Sequence, residues 1–154
     1  MSVQRLSHIG ICVSELERSV AFYRDALGFE EISRLQVSGP ESARLLQLEG
    51  GAVQAVYLER DGTRIELLYY PQAGHQGART PAPMNRLGLT HLSLRVTDLD
   101  AVVAAVVSLA GACLAATRID HDAWRSKAVF VTDPDGLRIE LLQAPGDPDV
   151  LPGA

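Results

Sequence analysis

Leu6-Ser7-His8-Ile9-Gly10-Ile11-Cys12-Val13-Ser14-Glu15-Leu16 returns 83 residues later as Leu89-Thr90-His91-Leu92-Ser93-Leu94-Arg95-Val96-Thr97-Asp98-Leu99. Asp61-Gly62-Thr63-Arg64-Ile65-Glu66-Leu67-Leu68 returns 74 residues later as Asp135-Gly136-Leu137-Arg138-Ile139-Glu140-Leu141-Leu142. The chain therefore holds two copies of one unit. Each copy has a histidine near its start and a glutamate near its end: His8 and Glu66, then His91 and Glu140.

Working outward, residues 6–13 alternate apolar Ile9, Ile11 and Val13 with His8, Gly10 and Cys12, the period of a strand. A helix follows from about Glu15, with Leu16, Val20, Tyr23 and Leu27 on one apolar stripe and Gly28 as its stop. Three strands are expected near 30–37, 43–49 and 52–60, with Gly50-Gly51 as a tight hairpin. Arg64 to Tyr70 closes the unit. The second copy reads as a strand over 90–96 and a helix over 99–109 that buries Leu99, Val102, Val103, Val106 and Leu109. Gly111 ends that helix. Strands near 112–119 and 126–132 follow, then the turn Asp133-Pro134-Asp135-Gly136, then a closing strand over 137–143.

The chain thus reads as α+β, two βαβββ modules over 1–70 and 89–144. A linker or flap over 71–88, rich in Gly and Pro, separates them, and a loose tail covers 145–154. The first unit is longer between its His and Glu, the surplus falling around Ser38-Gly39-Pro40-Glu41 or in longer middle strands.

Composition narrows the function. The 154 residues fit one compact domain or two small fused modules, and 47% apolar content is enough for a core. A net charge of −5 argues against nucleic acid, which asks for a basic face. The apolar run over 101–116 is too short to span a membrane. Residues 7–17 alternate and then turn polar, unlike a signal peptide. Cys12 and Cys113, without a CxxC, read as free thiols of a cytoplasmic protein.

Strand alternation then sorts the faces. With Ile9, Ile11 and Val13 packed on the helix, His8, Gly10 and Cys12 lie opposite. With Ile65 and Leu67 inward, Arg64, Glu66, Leu68 and Tyr70 lie opposite. The second unit repeats the split: His91, Ser93 and Arg95, with Arg138, Glu140 and Leu142, share the polar face. One such pair would be ordinary wet surface. The recurrence of His and Glu at matching positions in both copies points to more. Two imidazoles and two carboxylates suit one divalent metal ion, with Zn, Ni, Co, Mn and Fe(II) all acceptable. One Glu can also serve as a general base.

These residues resemble the vicinal oxygen chelate superfamily, which includes glyoxalase I, methylmalonyl-CoA epimerase, extradiol dioxygenases and bleomycin-resistance proteins. The resemblance covers roughly residues 5–144. It rests on His8, Phe22-Tyr23-Arg24-Asp25-Ala26-Leu27-Gly28, Ile65-Glu66-Leu67, His91, and Asp133-Pro134-Asp135-Gly136 with Ile139-Glu140-Leu141. It implies paired modules, each a curved mixed sheet with a helix on its convex face and the metal on the concave one. It implies His8, Glu66, His91 and Glu140 as the metal ligands. It also implies a metal-dependent lyase or isomerase of the glyoxalase type that removes a proton next to a metal-bound carbonyl of a small oxygenated substrate. Glu140 is the first choice of base and Glu66 the second. Two other readings stand beside it: an Fe(II)-dependent extradiol dioxygenase, and a non-catalytic ligand- or antibiotic-sequestering protein. Family glyoxalases carry an Arg where this chain has Cys12, so the resemblance does not extend to their grip on glutathione at that position. Arg95, at the matching position of the second unit, is the candidate substrate clamp, with Cys12 and Tyr70 lining the same face. The site is completed either within one chain or by exchange of halves between two, and a homodimer is expected because the sheet edges need cover. His75 and His121 read as surface histidines, and Trp124 as packing under a loop.

Overall fold

The computed structural model describes residues 2–150, except for the side chain of Trp124; the expectation for Trp124 and the last residues of the tail lie outside the described residues. The chain divides into two units, residues 1–77 and 78–154, with the boundary inside the segment read as a linker.

The first unit carries β1 (Ile9–Cys12), α1 (Leu16–Ala21), β2 (Glu30–Val37), α2 (Pro40–Leu46), β3 (Val53–Arg60) and β4 (Thr63–Tyr69). Its sheet runs β1-β4-β3-β2, with β1 parallel to β4 and the remaining pairs antiparallel. The second carries β5 (His91–Arg95), α3 (Leu99–Ser108), β6 (Ala112–Cys113), β7 (Ile119–His121), β8 (Ser126–Thr132) and β9 (Arg138–Gln143). Its sheet runs β5-β9-β8, with β5 parallel to β9 and both β6 and β7 on the far edge of β8. The same parallel-then-antiparallel pattern recurs, as the repeat demands.

In each unit one helix, α1 or α3, covers one face of the sheet. In the first unit Val56, Leu58, Ile65 and Leu67 are buried with Val13, Leu16, Val20, Phe22 and Tyr23. In the second, Leu99 and Val106 of α3 are buried with Val129, Val131, Ile139 and Leu141. The expected inward set of α3 also included Val102, Val103 and Leu109, which are half-buried. Carboxylates cap α1 and α3. Glu15 accepts from the backbone N–H groups of Glu17 and Arg18, and Asp98 from that of Ala101. These are N-cap bonds that satisfy otherwise orphaned donors.

The middle of each unit departs from expectation. Residues 43–49 form no strand. Pro40 sits in the first turn of α2, and Glu41 to Leu46 contain no β-branched residue, so helix is the cheaper local state. Gly50-Gly51 is accordingly no hairpin but the return from α2 into β3. Gly51 has φ +57° and its Cα faces the Ala43 backbone, where a Cβ would not fit. The surplus length of the first unit is α2 together with an eight-residue β2.

In the second unit the strand expected over 112–119 is broken. Thr117, in a single 3-10 turn over 115–117, accepts from the Phe130 N–H and donates to the Leu114 carbonyl. Its hydroxyl so replaces a rung of the ladder, and β6 and β7 are the two remnants. The residue with positive φ after α3 is Ala110 (φ +66°), not Gly111.

The Asp133-Pro134-Asp135-Gly136 turn forms as expected. The buried Asp133 carboxylate accepts from the N–H groups of Asp135 (2.9 Å) and Leu137 (2.8 Å). Asp133→Ala should destabilise the second unit by about 2–3 kcal/mol, because two charge-assisted bonds are lost and their donors are stranded. Urea unfolding measures it, and a loss under about 0.5 kcal/mol would contradict this role.

Candidate functional site

The strand registers put the polar residues in rows. In the first unit Gly10, Glu66 and Tyr57 are direct neighbours across β1, β4 and β3. In the second, Ser93, Glu140 and Phe130 occupy the same places across β5, β9 and β8. His8 immediately precedes β1 and His91 opens β5.

Each histidine turns its Nε2 toward the glutamate of its own unit. His8 Nε2 lies 3.1 Å from Glu66 Oε2, and His91 Nε2 lies 3.8 Å from Glu140 Oε2. Behind each ring stands a hydroxyl: Ser7 Oγ is 3.1 Å from His8 Nδ1, and Thr90 Oγ1 is 2.9 Å from His91 Nδ1. When Nδ1 carries the proton it donates to that hydroxyl, which leaves Nε2 a lone-pair donor facing the carboxylate. This is the outer-shell arrangement that orients metal-binding histidines. An aromatic edge supports each ring as well: Tyr57 on His8 (5.3 Å, 80°) and Phe130 on His91 (5.3 Å, 86°).

The glutamates differ. Tyr57 is the cross-strand neighbour of Glu66, and the nearby Glu66 carboxylate, with burial, pushes its phenol up to about 12. Glu140 accepts instead from Ser93 Oγ at 2.7 Å, on its other flank. The Glu66 side chain is 12% exposed and that of Glu140 33%.

The structure thus brings together His8 with Glu66 and His91 with Glu140. Among the described residues no group of three or more His, Cys, Asp or Glu side chains stands as a complete metal site. Each unit offers a two-donor pair of the right chemical types, imidazole nitrogen and carboxylate oxygen.

The remaining candidates fall out unevenly. Tyr70 senses both Cys12 and Glu66; burial first, then these neighbours, hold its phenol above the usual range. Cys12 is exposed on that face. Arg95 is engaged by the chain itself: its Nη2 donates to the carbonyls of Ala144 (3.1 Å) and Pro145 (3.0 Å), which anchors the segment after β9. That use counts against the role of substrate clamp. Arg64 pairs with Glu59, and Arg138 donates to the Ala82 carbonyl and lies over the Phe130 ring. Tyr57 was legible in sequence only as one of several tyrosines, and Ser93 only as a repeat position. The hydroxyls of Ser7 and Thr90 do carry a signal, since both precede a repeated histidine.

Two units of this topology, each a mixed sheet whose first strand lies parallel to its last and whose one face carries a helix, make the vicinal oxygen chelate fold. The chain belongs to the Glyoxalase/Bleomycin resistance protein/Dioxygenase superfamily, whose sequence model matches residues 5–141. It is 31% identical over 144 residues to the uncharacterized protein YaeR of Escherichia coli strain K12, covering 93% of this chain and 98% of that one. A glyoxalase family protein from Bacillus cereus has a similar structure, with TM-score 0.80, 20% identity and coverage of 95% of this chain and 97% of that one. The trypanothione-dependent glyoxalase I of Leishmania major matches at TM-score 0.64 and 25% identity, over 92% of this chain and 87% of that one. Among the described residues no helix is long and apolar enough to cross a membrane.

Proposed function

We propose that His8, Glu66, His91 and Glu140 pool their donors to hold one divalent metal ion, Zn, Ni, Co, Mn or Fe(II), and that the protein is a metal-dependent lyase or isomerase of the glyoxalase type. One observation carries this reading. The same Nε2-to-carboxylate pair, backed by the same hydroxyl on Nδ1, is built twice on the same face of two units. Two donors are too few for a stable site, and four of these types are enough with room left for substrate. When bound, the metal supplies Lewis-acid polarisation of a carbonyl on a small oxygenated substrate.

The chain's own residues do the rest. Glu140, the more exposed carboxylate and the one farther from its histidine, takes the proton from the carbon beside that carbonyl and returns it at the neighbouring position. Glu66 stays in place beside its cross-strand neighbour Tyr57. Tyr70 and Cys12 shape the same face, and a thiol adduct of a 2-oxoaldehyde is the substrate class to try first, a trypanothione-dependent glyoxalase I being among the structural neighbours. The proposal includes a cytoplasmic homodimer, supported by the two cysteine thiols and by β2, an edge strand exposed along its length with Ile32, Leu35 and Val37 uncovered.

Elemental analysis should find one divalent metal per chain. Glu140→Gln should cut turnover of methylglyoxal–thiol adducts by roughly 10²–10⁴-fold, the usual worth of a general base, while metal is retained. Full turnover in that variant would reject the base assignment, and a protein that binds no divalent metal would reject the whole reading.

A further inference from the structure

The repeat is not symmetric where the carboxylates are held. In the first unit one side chain, Tyr57, stands beside both members of the pair: its ring edge meets His8, and it is the direct cross-strand neighbour of Glu66, whose carboxylate its phenol senses. In the second unit these duties are divided. Phe130 keeps the ring contact to His91 without a hydroxyl, and the hydroxyl comes from Ser93 on the opposite neighbouring strand.

The two arrangements restrain a carboxylate differently. A phenol is planar and rigid, and that of Tyr57 is fixed by its strand and by the imidazole it abuts. It therefore offers a donor at one fixed position to the neighbouring carboxylate. A serine hydroxyl swings about its Cα–Cβ bond and can follow a moving carboxylate. At position 10, Glu66 has a glycine where Glu140 has Ser93, so the phenol is the hydroxyl that its sheet neighbours supply. The geometry agrees: Glu66 lies 3.1 Å from its histidine and is largely covered, whereas Glu140 lies 3.8 Å away and is a third exposed.

We infer that Tyr57 is a positioning residue that fixes Glu66 as the permanent carboxylate ligand and, by its absence from the second unit, leaves Glu140 as the carboxylate that moves. This rests on the reading of the four residues as ligands to one metal. It adds the device that makes two equivalent glutamates unequal. It also makes a residue-level demand: the hydroxyl on the β3–β8 side of the row, not the identity of the unit, decides which Glu binds more firmly.

The test uses Co(II) as the probe. Affinity is measured by competition with a chromophoric chelator, and coordination by the visible absorption of the bound ion. In the wild-type background Glu66→Gln should weaken Co(II) binding roughly tenfold more than Glu140→Gln. Tyr57→Phe keeps the ring on His8 and removes only the hydroxyl. It should weaken Co(II) binding about 10–100-fold, the usual effect of an outer-shell partner, and shift the absorption bands. Ser93→Ala should stay within about threefold of wild type. In the double variant Tyr57→Phe/Phe130→Tyr the phenol moves to the second unit, and the order of the two Gln substitutions should reverse. A merely structural role for Tyr57 would move neither the bands nor that order. Co(II) binding by Tyr57→Phe equal to wild type, or an unchanged Gln order in the double variant, overturns the inference. Wild-type protein that takes up no Co(II) overturns the metal reading itself, a failure visible before any variant is compared.

Discussion

Substituting His8→Ala and His91→Ala together should abolish measurable divalent-metal binding, and either substitution alone should weaken it about 10²–10³-fold. The magnitude follows from the roughly 10–16 kcal/mol of a four-ligand zinc site, shared over four donors at about 1.4 kcal/mol per tenfold. Stoichiometry makes the prediction sharper. If each unit held its own metal on its own pair, wild type would bind two ions per chain. His8→Ala would then leave one ion bound with unchanged affinity at His91 and Glu140. A pooled set predicts one ion per chain and no surviving tight site after either single change.

Thermal unfolding reads the same quantity. Metal at about 1,000 times its Kd adds about 4 kcal/mol, and for a chain of this size that raises Tm by roughly 8–16 °C. Wild type should show the rise and the double variant should not. His75→Ala and His121→Ala, which change exposed histidines outside both pairs, should leave it intact and thereby separate specific ligation from loose imidazole binding. A metal-dependent rise that survives in the double variant would place the metal elsewhere.

The legible and illegible parts of this chain divide along physical lines. The faces of β1, β4, β5 and β9 were readable because alternation with period two leaves a strand only two choices, and the helices had already fixed which side was dry. The pairs His8–Glu66 and His91–Glu140 follow from those faces and from parallel pairing at equivalent registers. What surrounds them was not readable. Tyr57 stands nine residues before Glu66, but Phe130 stands ten before Glu140, because the turn in the second hairpin is one residue longer. A constant offset therefore hides their equivalence. The middle segments were misread for a related reason. Ala43 to Glu49 is apolar enough to pass for a short strand, and only Pro40 at a helix start argued otherwise. The break at Thr117 depends on a side chain bonding to a strand thirteen residues away. Arg95 looked free to grip a substrate because sequence does not show that its guanidinium reaches the carbonyls after β9.

Tyr23→Ala should cost the first unit about 3–5 kcal/mol, the largest stability loss expected of any single change described for this chain. Tyr23 is fully buried at the point where α1 widens into a single π turn over 22–26. Its ring meets Phe22 at 5.3 Å and Phe29 at 5.8 Å, both edge to face, and such contacts add to the apolar area already buried. The backbone around it leaves little room to collapse into the void. The Tyr23 carbonyl accepts from the Phe29 N–H at 3.0 Å, Gly28 turns the chain with φ +69°, and the Arg60 guanidinium donates to the Leu27 carbonyl. A cavity closed in by bonded backbone keeps its volume, and retained volume is what raises the cost of truncation. All these contacts belong to the first unit, so a calorimetric trace that resolves the units should show only that unit's transition move, by roughly 12–40 °C for a unit of this size. Leu87→Ala, at a side chain 99% exposed, should stay within about 0.5 kcal/mol of wild type and calibrates the comparison. A Tyr23→Ala loss below about 1 kcal/mol would mean that the segment Phe22–Gly28 relaxes freely. The π turn would then be a soft link between α1 and β2, not the buried wedge that its burial and bonding describe.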